Sequence, residues 1–198
     1  MPKIVNIDER QQLVAEAAWR VLVRDGPADL SVRKVAAEAG LSPSSLRYSF
    51  PTQASVRNHA VALLLERLSA RVERAAGEAS GSERATAMLH ELLPLDDERR
   101  LEMEVLLSFG TMAMTDDALH EAHQRIHLAV REVCARAADL LGVDPGEVAG
   151  LHALIDGLAL HLVRQHPRAD SDWALSALTT QLARLCASTT ESAGQPGQ

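Results

Sequence analysis

The chain has 198 residues, 46% of them hydrophobic and 24% charged, with a formal net charge of −7. That length and composition suit a folded globular chain with a substantial core and exclude a disordered or collagen-like one. The acidic total excludes a protein that coats nucleic acid with its whole surface, but the charge is unevenly spread: residues 1–58 hold eight Lys/Arg against six Asp/Glu, and the remainder twelve against twenty-one.

The opening MPKIVNIDER carries acids early and has no apolar core of signal-peptide length. No later stretch is read as reaching the about 20 apolar residues of a membrane span, so a cytoplasmic protein with no membrane partner is expected. The first element is an amphipathic helix with Leu13, Val14, Ala17, Ala18, Val21 and Leu22 at helical spacing, broken at Asp25-Gly26. Ser31 is a good N-cap for a second helix burying Val32, Val35 and Ala36, which Gly40 can end with positive φ. Ser42 caps a third helix with Pro43 at its first position, where a missing N–H costs nothing. This helix buries Leu46 and Phe50, displays Ser44, Ser45, Arg47, Tyr48 and Ser49, and stops at Pro51, after which Thr52 can cap the next. So short a helix is unstable alone. Held by a scaffold, it is the probe of a helix-turn-helix for the DNA major groove. The mildly basic balance of residues 1–58 agrees, since affinity for DNA needs positive charge on one face only.

Residues 10–67 resemble the TetR family of bacterial transcriptional regulators. The resemblance rests on the first helix, the Asp25-Gly26 break, the Val-Ala-x-x-Ala-Gly-Leu-Ser run from Val35 to Ser42, and Leu46 to Phe50 as the recognition helix. The chain departs from the family at Arg47, where an aromatic is frequent, at Ser49, where His is frequent, and at Gln53, where a phosphate-binding Lys is usual. Arg47 is the candidate for a bidentate contact to guanine. Tyr48, Ser31, Ser42, Lys34 and Thr52 are expected to position the DNA backbone.

A long helix follows Thr52 to about Ala76, then a loop at Gly77 to Gly81, a helix near 82–93 and another from about Asp96. Asp116 and Asp117 open a seventh helix that ends at Gly142. Asp144-Pro145-Gly146-Glu147 starts an eighth that ends near His166-Pro167, and a ninth spans about 171–188. The expected fold is all-α with about nine helices: a DNA-binding domain over 1–52, a helical effector-binding and dimerisation domain over 53–188, and a disordered tail over 189–198. Cys134 and Cys186 lack metal or redox spacing and read as structural thiols.

The eighth helix is apolar on more than one side, so something must cover both. Gly157 in its middle suggests close approach of another helix. The TetR resemblance implies dimerisation through the last two helices as a four-helix bundle, with Leu151, Ile155, Gly157, Leu158, Leu162, Leu178, Leu182 and Leu185 as its candidate residues. It also implies an effector pocket, and LLPLDDERRLEMEVLLSF with Ile155 to Leu158 is similar to the BetI-like branch of these C-terminal domains. Met103, Leu107, Phe109 and Met112 are the candidate apolar wall, and His127, read as the most interior histidine of its helix, the polar handle. The scattered aromatics make a cation cage a poor expectation.

No phosphate loop or nucleophile motif is present, and no cofactor is expected. The expected function is a homodimeric, ligand-responsive regulator, a repressor on a two-fold DNA operator released by a small apolar effector. The rival from another class is a helical metal-dependent enzyme or metal sensor using His120, His123 and His127, which share a helix face. A protein-interaction module that keeps the helix-turn-helix without DNA is the third.

Overall fold

In the computed structural model, residues 7–26, 29–114 and 117–193 are described. They form nine α-helices and no strand: α1 Ile7–Asp25, α2 Val32–Glu38, α3 Pro43–Ser49, α4 Gln53–Glu78, α5 Gly81–His90, α6 Asp97–Ala113, α7 Asp117–Leu140, α8 Val148–Arg164 and α9 Asp172–Ala193. The all-α expectation is met. Asp116 lies outside the described residues, and α7 begins at Asp117. α5 stops short of the expected 93, because Leu92 and Leu93 donate to the carbonyls of Leu89 and His90 three residues back. Asp144 accepts from Gly146 N at 2.7 Å and so caps a 3₁₀ turn, Pro145–Glu147, from which α8 continues. α9 keeps its helical backbone through Ala193, five residues beyond the expected end, while residues 194–198 lie outside the description.

Packing divides the chain into two units. The first comprises residues 1–67 and 101–126, so the boundary drawn at 52 falls inside it. Its core is built around Trp19, fully buried with Val14, Leu22, Val35, Leu46, Val56 and Leu64. Burying an indole requires a partner for its N–H, and Trp19 Nε1 donates to the Ala60 carbonyl at 3.0 Å. The Arg67 guanidinium lies 5.1 Å from the Trp19 ring centroid and pairs with Glu16. Val105, Phe109, Leu119, Ala122 and Ile126 close the same core.

The second unit comprises residues 68–100 and 127–198. Leu151, Ile155, Leu158 and Leu162 of α8 are buried in it, as are Ala174, Leu178, Leu182 and Leu185 of α9. The last carbonyls of a helix lack intrahelical donors. Arg100 supplies them for α8, donating to Leu162 O at 3.0 Å, Gln165 O at 2.7 Å and Val163 O. Contrary to the sequence expectation, Pro145–Arg164 is long and apolar enough to cross a membrane, with a mean hydropathy of 1.3. The reason is that α8 is apolar on two sides, of which the leucine side is internal to the unit.

Candidate nucleic-acid interface

The turn between α2 and α3 is fixed by local backbone chemistry. Gly40 adopts φ +68°, Leu41 N donates to Ala36 O at 2.8 Å, and Gly40 N donates to Ala37 O at 3.2 Å. This pair of reversed bonds is a Schellman motif, and it needs a left-handed residue where glycine stands. Lys34 N donates to Ser31 Oγ at 3.3 Å, Ser45 N to Ser42 Oγ at 3.2 Å, and Ser55 N to Thr52 Oγ1 at 3.0 Å. The three expected caps are therefore formed. Ser31 and Thr52 accept with their oxygens and keep a hydroxyl proton to donate.

α3 buries Leu46 and is followed by the buried Phe50, whose ring lies 4.8 Å from that of His59. His59 Nε2 donates in turn to Gln11 O at 2.7 Å. On its other side α3 exposes Ser44, Arg47, Tyr48 and Ser49, with Tyr48 93% exposed. An aromatic that size would be buried if the fold had use for it. Ser45 belongs to neither side. It is half-buried, and its hydroxyl and carbonyl accept from Arg10 Nη2 at 2.5 and 3.0 Å. The expectation that Ser45 faces DNA is corrected: its hydroxyl anchors α3 to α1.

Lys34 is also corrected. Its ammonium lies 2.8 Å from Asp29 and 3.5 Å from Asp25, and the hydrogen bond to Asp29 holds its pKa above the usual lysine value. It serves the loop before α2 more than a phosphate. Its neighbour Arg33 is exposed and has no acceptor among the described residues. Gln53, which stands where the family usually has a lysine, donates to Leu30 O and ties α4 to the same loop. Arg20 and Arg24 of α1 grip Glu38 at 2.8 and 2.7 Å, and hydrogen bonding, from Arg24 above all, holds the Glu38 carboxyl below its usual range. Arg10 and Arg33 were missed in the sequence. Arg33 had a legible signal, since it sits nearly opposite buried Val35 on α2; the Arg10 contact, 35 residues away, had none.

The candidate effector residues do not assemble as expected. Phe109 is 1% exposed in the first core, and Met112 packs against that core. Met103 and Leu107 are half-buried. His127 belongs to the second unit and is exposed, not interior. A residue one step from buried Ile126 is turned by about 100°, enough to leave the core. Its ring packs 4.6 Å from buried His152, whose pKa is lowered by burial, against the opposing pull of Asp156 Oδ2 at 3.5 Å from Nε2. His120 Nε2 lies 3.0 Å from Gln124 Nε2, and His123 lies beside Gly110. Among the described residues no three His, Cys, Asp or Glu gather as a metal site. Cys134 and Cys186 form no disulfide, and burial pushes the Cys134 thiol up to about 12.

Seven of the eight candidate dimer residues are corrected as well. Leu151, Ile155, Leu158, Leu162, Leu178, Leu182 and Leu185 are at most 6% exposed within one copy, because the strongest apolar stripe is drawn to the nearest core. Gly157 differs. A Cβ there would meet no atom within 4 Å. Ala149, Gly150, Ala153 and His161 are exposed on α8 around it, and Trp173, 38% exposed, stands at the start of α9.

Comparison with known proteins gives a consistent picture. Residues 14–59 match the model for bacterial regulatory proteins of the tetR family, and residues 81–187 match that for the BetI-type transcriptional repressor C-terminal domain. The chain is 32% identical over 193 residues to the HTH-type transcriptional regulator PksA of Bacillus subtilis, covering 94% of each. It is 34% identical over 93 residues to the HTH-type nicotine-responsive transcriptional repressor HdnoR of Paenarthrobacter nicotinovorans, 47% of this chain and 46% of that one. A transcriptional regulator from Rhodococcus sp. Rha1 superposes with a TM-score of 0.76 at 26% identity, covering 88% of this chain and 95% of that one.

Proposed function

The chain belongs to the TetR family of DNA-binding transcriptional regulators, and from that membership we propose that it is a homodimeric repressor, released from a two-fold operator by a small molecule. Proteins of this type are regulators and not enzymes. The observation that carries the proposal is the outer face of α3, where Ser44, Arg47, Tyr48 and Ser49 are exposed on a helix held by Arg10, Leu46 and Phe50. A seven-residue helix so anchored, with its polar side free, fits a major groove.

In this reading Arg47 takes the O6 and N7 edge of a guanine through its planar fork. Tyr48, Ser44 and Ser49 flank it, while Arg33 and the capping hydroxyls of Ser31, Ser42 and Thr52 meet phosphates. Two copies place two such helices in successive grooves of one duplex face. The outward side of α8 supports dimerisation: Ala149, Gly150 and Ala153 are exposed there, and a Cβ at Gly157 would meet no atom of the same chain within 4 Å. The description of the matched C-terminal model as a repressor, and that of HdnoR as nicotine-responsive, support repression and release by a ligand. A ligand releases the operator only by binding one arrangement of the two copies better than the other.

The test is a gel shift and footprint on the DNA upstream of the protein's own gene. Two protected half-sites, one helical turn or a multiple apart, are expected at a stoichiometry of two chains. Affinity for that DNA no better than for random duplex, at matched salt, sinks the proposal.

A further inference from the structure

Within the second unit, the end of α4, the middle of α5 and the end of α7 surround a cleft of about 420 Å³, a volume in the range of small-ligand sites. It is lined by none of the candidate effector residues discussed above. Met88, fully buried, and Leu140, 40% exposed, line it, so that Leu140 gives it apolar surface. Four charged side chains line it with them: Glu73, Arg84, Arg136 and Asp139.

Two of these charges satisfy each other. Arg136 Nη1 donates to Glu73 Oε1 at 2.6 Å, and that hydrogen bond holds the Glu73 carboxyl below its usual range. The other two do not. Arg84 donates Nε to Ala79 O at 3.0 Å, which fixes its guanidinium while leaving both Nη groups without an acceptor among the described residues. Asp139 likewise has no side-chain donor among them. A guanidinium anchored through Nε, with its terminal fork free, suits a carboxylate taken bidentately. A lone carboxylate beside it suits an ammonium. The four charges sum to zero, so an ion of one sign leaves the cleft unbalanced and an amphoteric molecule does not.

We infer that this cleft binds an amphoteric small molecule, with its carboxylate on Arg84, its ammonium on Asp139 and an apolar body over Leu140. The inference deepens the ligand-responsive reading above and rests on it for its regulatory meaning, though not for binding itself.

Gly77 provides a clean test. It lies within helical α4 and lines the cleft, and a Cβ there would meet no atom within 4 Å. Gly77→Leu therefore obstructs the cleft while favouring the helix. The full-length protein would be titrated calorimetrically with 8-aminooctanoate, octanoate and octylamine, and its melting temperature followed with each. We expect 8-aminooctanoate to bind about tenfold or more tightly than either singly charged probe, and Arg84→Met and Asp139→Asn each to remove that preference. Gly77→Leu should abolish binding without lowering the melting temperature. Equal affinity for all three probes, binding of none at millimolar concentration, or full binding by Gly77→Leu overturns the inference. A gel shift separates the two claims. If 8-aminooctanoate binds wild type but not Gly77→Leu, and the operator complex survives it, the cleft stands and the effector role falls. If another small molecule releases wild type and Gly77→Leu equally while no probe binds, the repressor reading stands and the cleft inference fails.

Discussion

α3 and α8 each bury one apolar side and leave another uncovered, and the uncovered sides have opposite chemistry. On α3 the free side is hydroxyls, a guanidinium and a phenol; on α8 it is mainly alanine and glycine, with Asp156, His161 and Arg164 exposed among them. Neither side is needed by the chain's own core. Exposed polar groups fit a hydrated, charged duplex, and small side chains fit a second protein surface at close range. What a helix leaves uncovered is thus informative about its partner, provided the covered stripe has first been identified correctly.

The largest expected effect tests that identification. Leu158→Ala and Phe109→Ala should each destabilise the folded chain by about 3–5 kcal/mol, because both side chains are buried in a single copy. Denaturant melts that leave either variant at wild-type stability would return that residue to the surface. Gly157→Leu should do the reverse. Its new side chain enters empty space, so folding is retained, but sedimentation should report a monomer and operator affinity should drop by about 10²-fold or more as the paired contact is lost. A dimer that persists in Gly157→Leu moves the interface away from α8.

On α3 the expected losses are smaller. Arg47→Ala should weaken specific binding by about 1–3 kcal/mol and relax base preference at one position per half-site, read by binding to a randomised operator library. Unchanged preference would remove Arg47 as the base reader. Arg33→Ala should lower affinity for all sequences alike and reduce the salt slope by about one, whereas Lys34→Ala, already paired with Asp25 and Asp29, should alter the slope less. The reverse order would mean that the Lys34 pairs open on DNA.

The smallest effect is one of pH. Burial lowers the His152 pKa below its ordinary 6.5, so the unfolded chain takes up a proton before the folded one does. Stability is therefore full above about pH 6.5 and falls as pH drops through the folded value. His152→Gln should flatten that acid limb in melts followed against pH. An acid limb identical to wild type assigns it to other groups.

The reading head was largely legible in the sequence because its signals are local. Ser31, Ser42 and Thr52 cap within three residues, and Gly40 closes its turn within five. The choice between two stripes of α8 was not local. Leu151, Ile155, Leu158 and Leu162 and the alanine–glycine side are both apolar, and periodicity cannot say which finds the internal core. Phe109 failed as a ligand contact for a related reason: the largest side chain of an apolar stripe has most to gain from full burial. Lys34 was misjudged through its neighbours, since Asp25 and Asp29 approach it only once the loop before α2 has folded. The charged cleft on α4, α5 and α7 joins residues more than sixty positions apart, which no spacing rule connects.

The division of labour within α3 bears on how such a reader diverges. Arg10, Leu46 and Phe50 hold the helix from one side, while Arg47, Tyr48 and Ser49 make no contact on which folding depends. Exposed substitutions of that kind usually alter stability by less than about 0.5 kcal/mol. Selection can therefore replace the outward residues one at a time and shift sequence preference with little loss of folded protein. After gene duplication, two copies could part in the operators they read while sharing the same scaffold, each intermediate remaining a foldable chain.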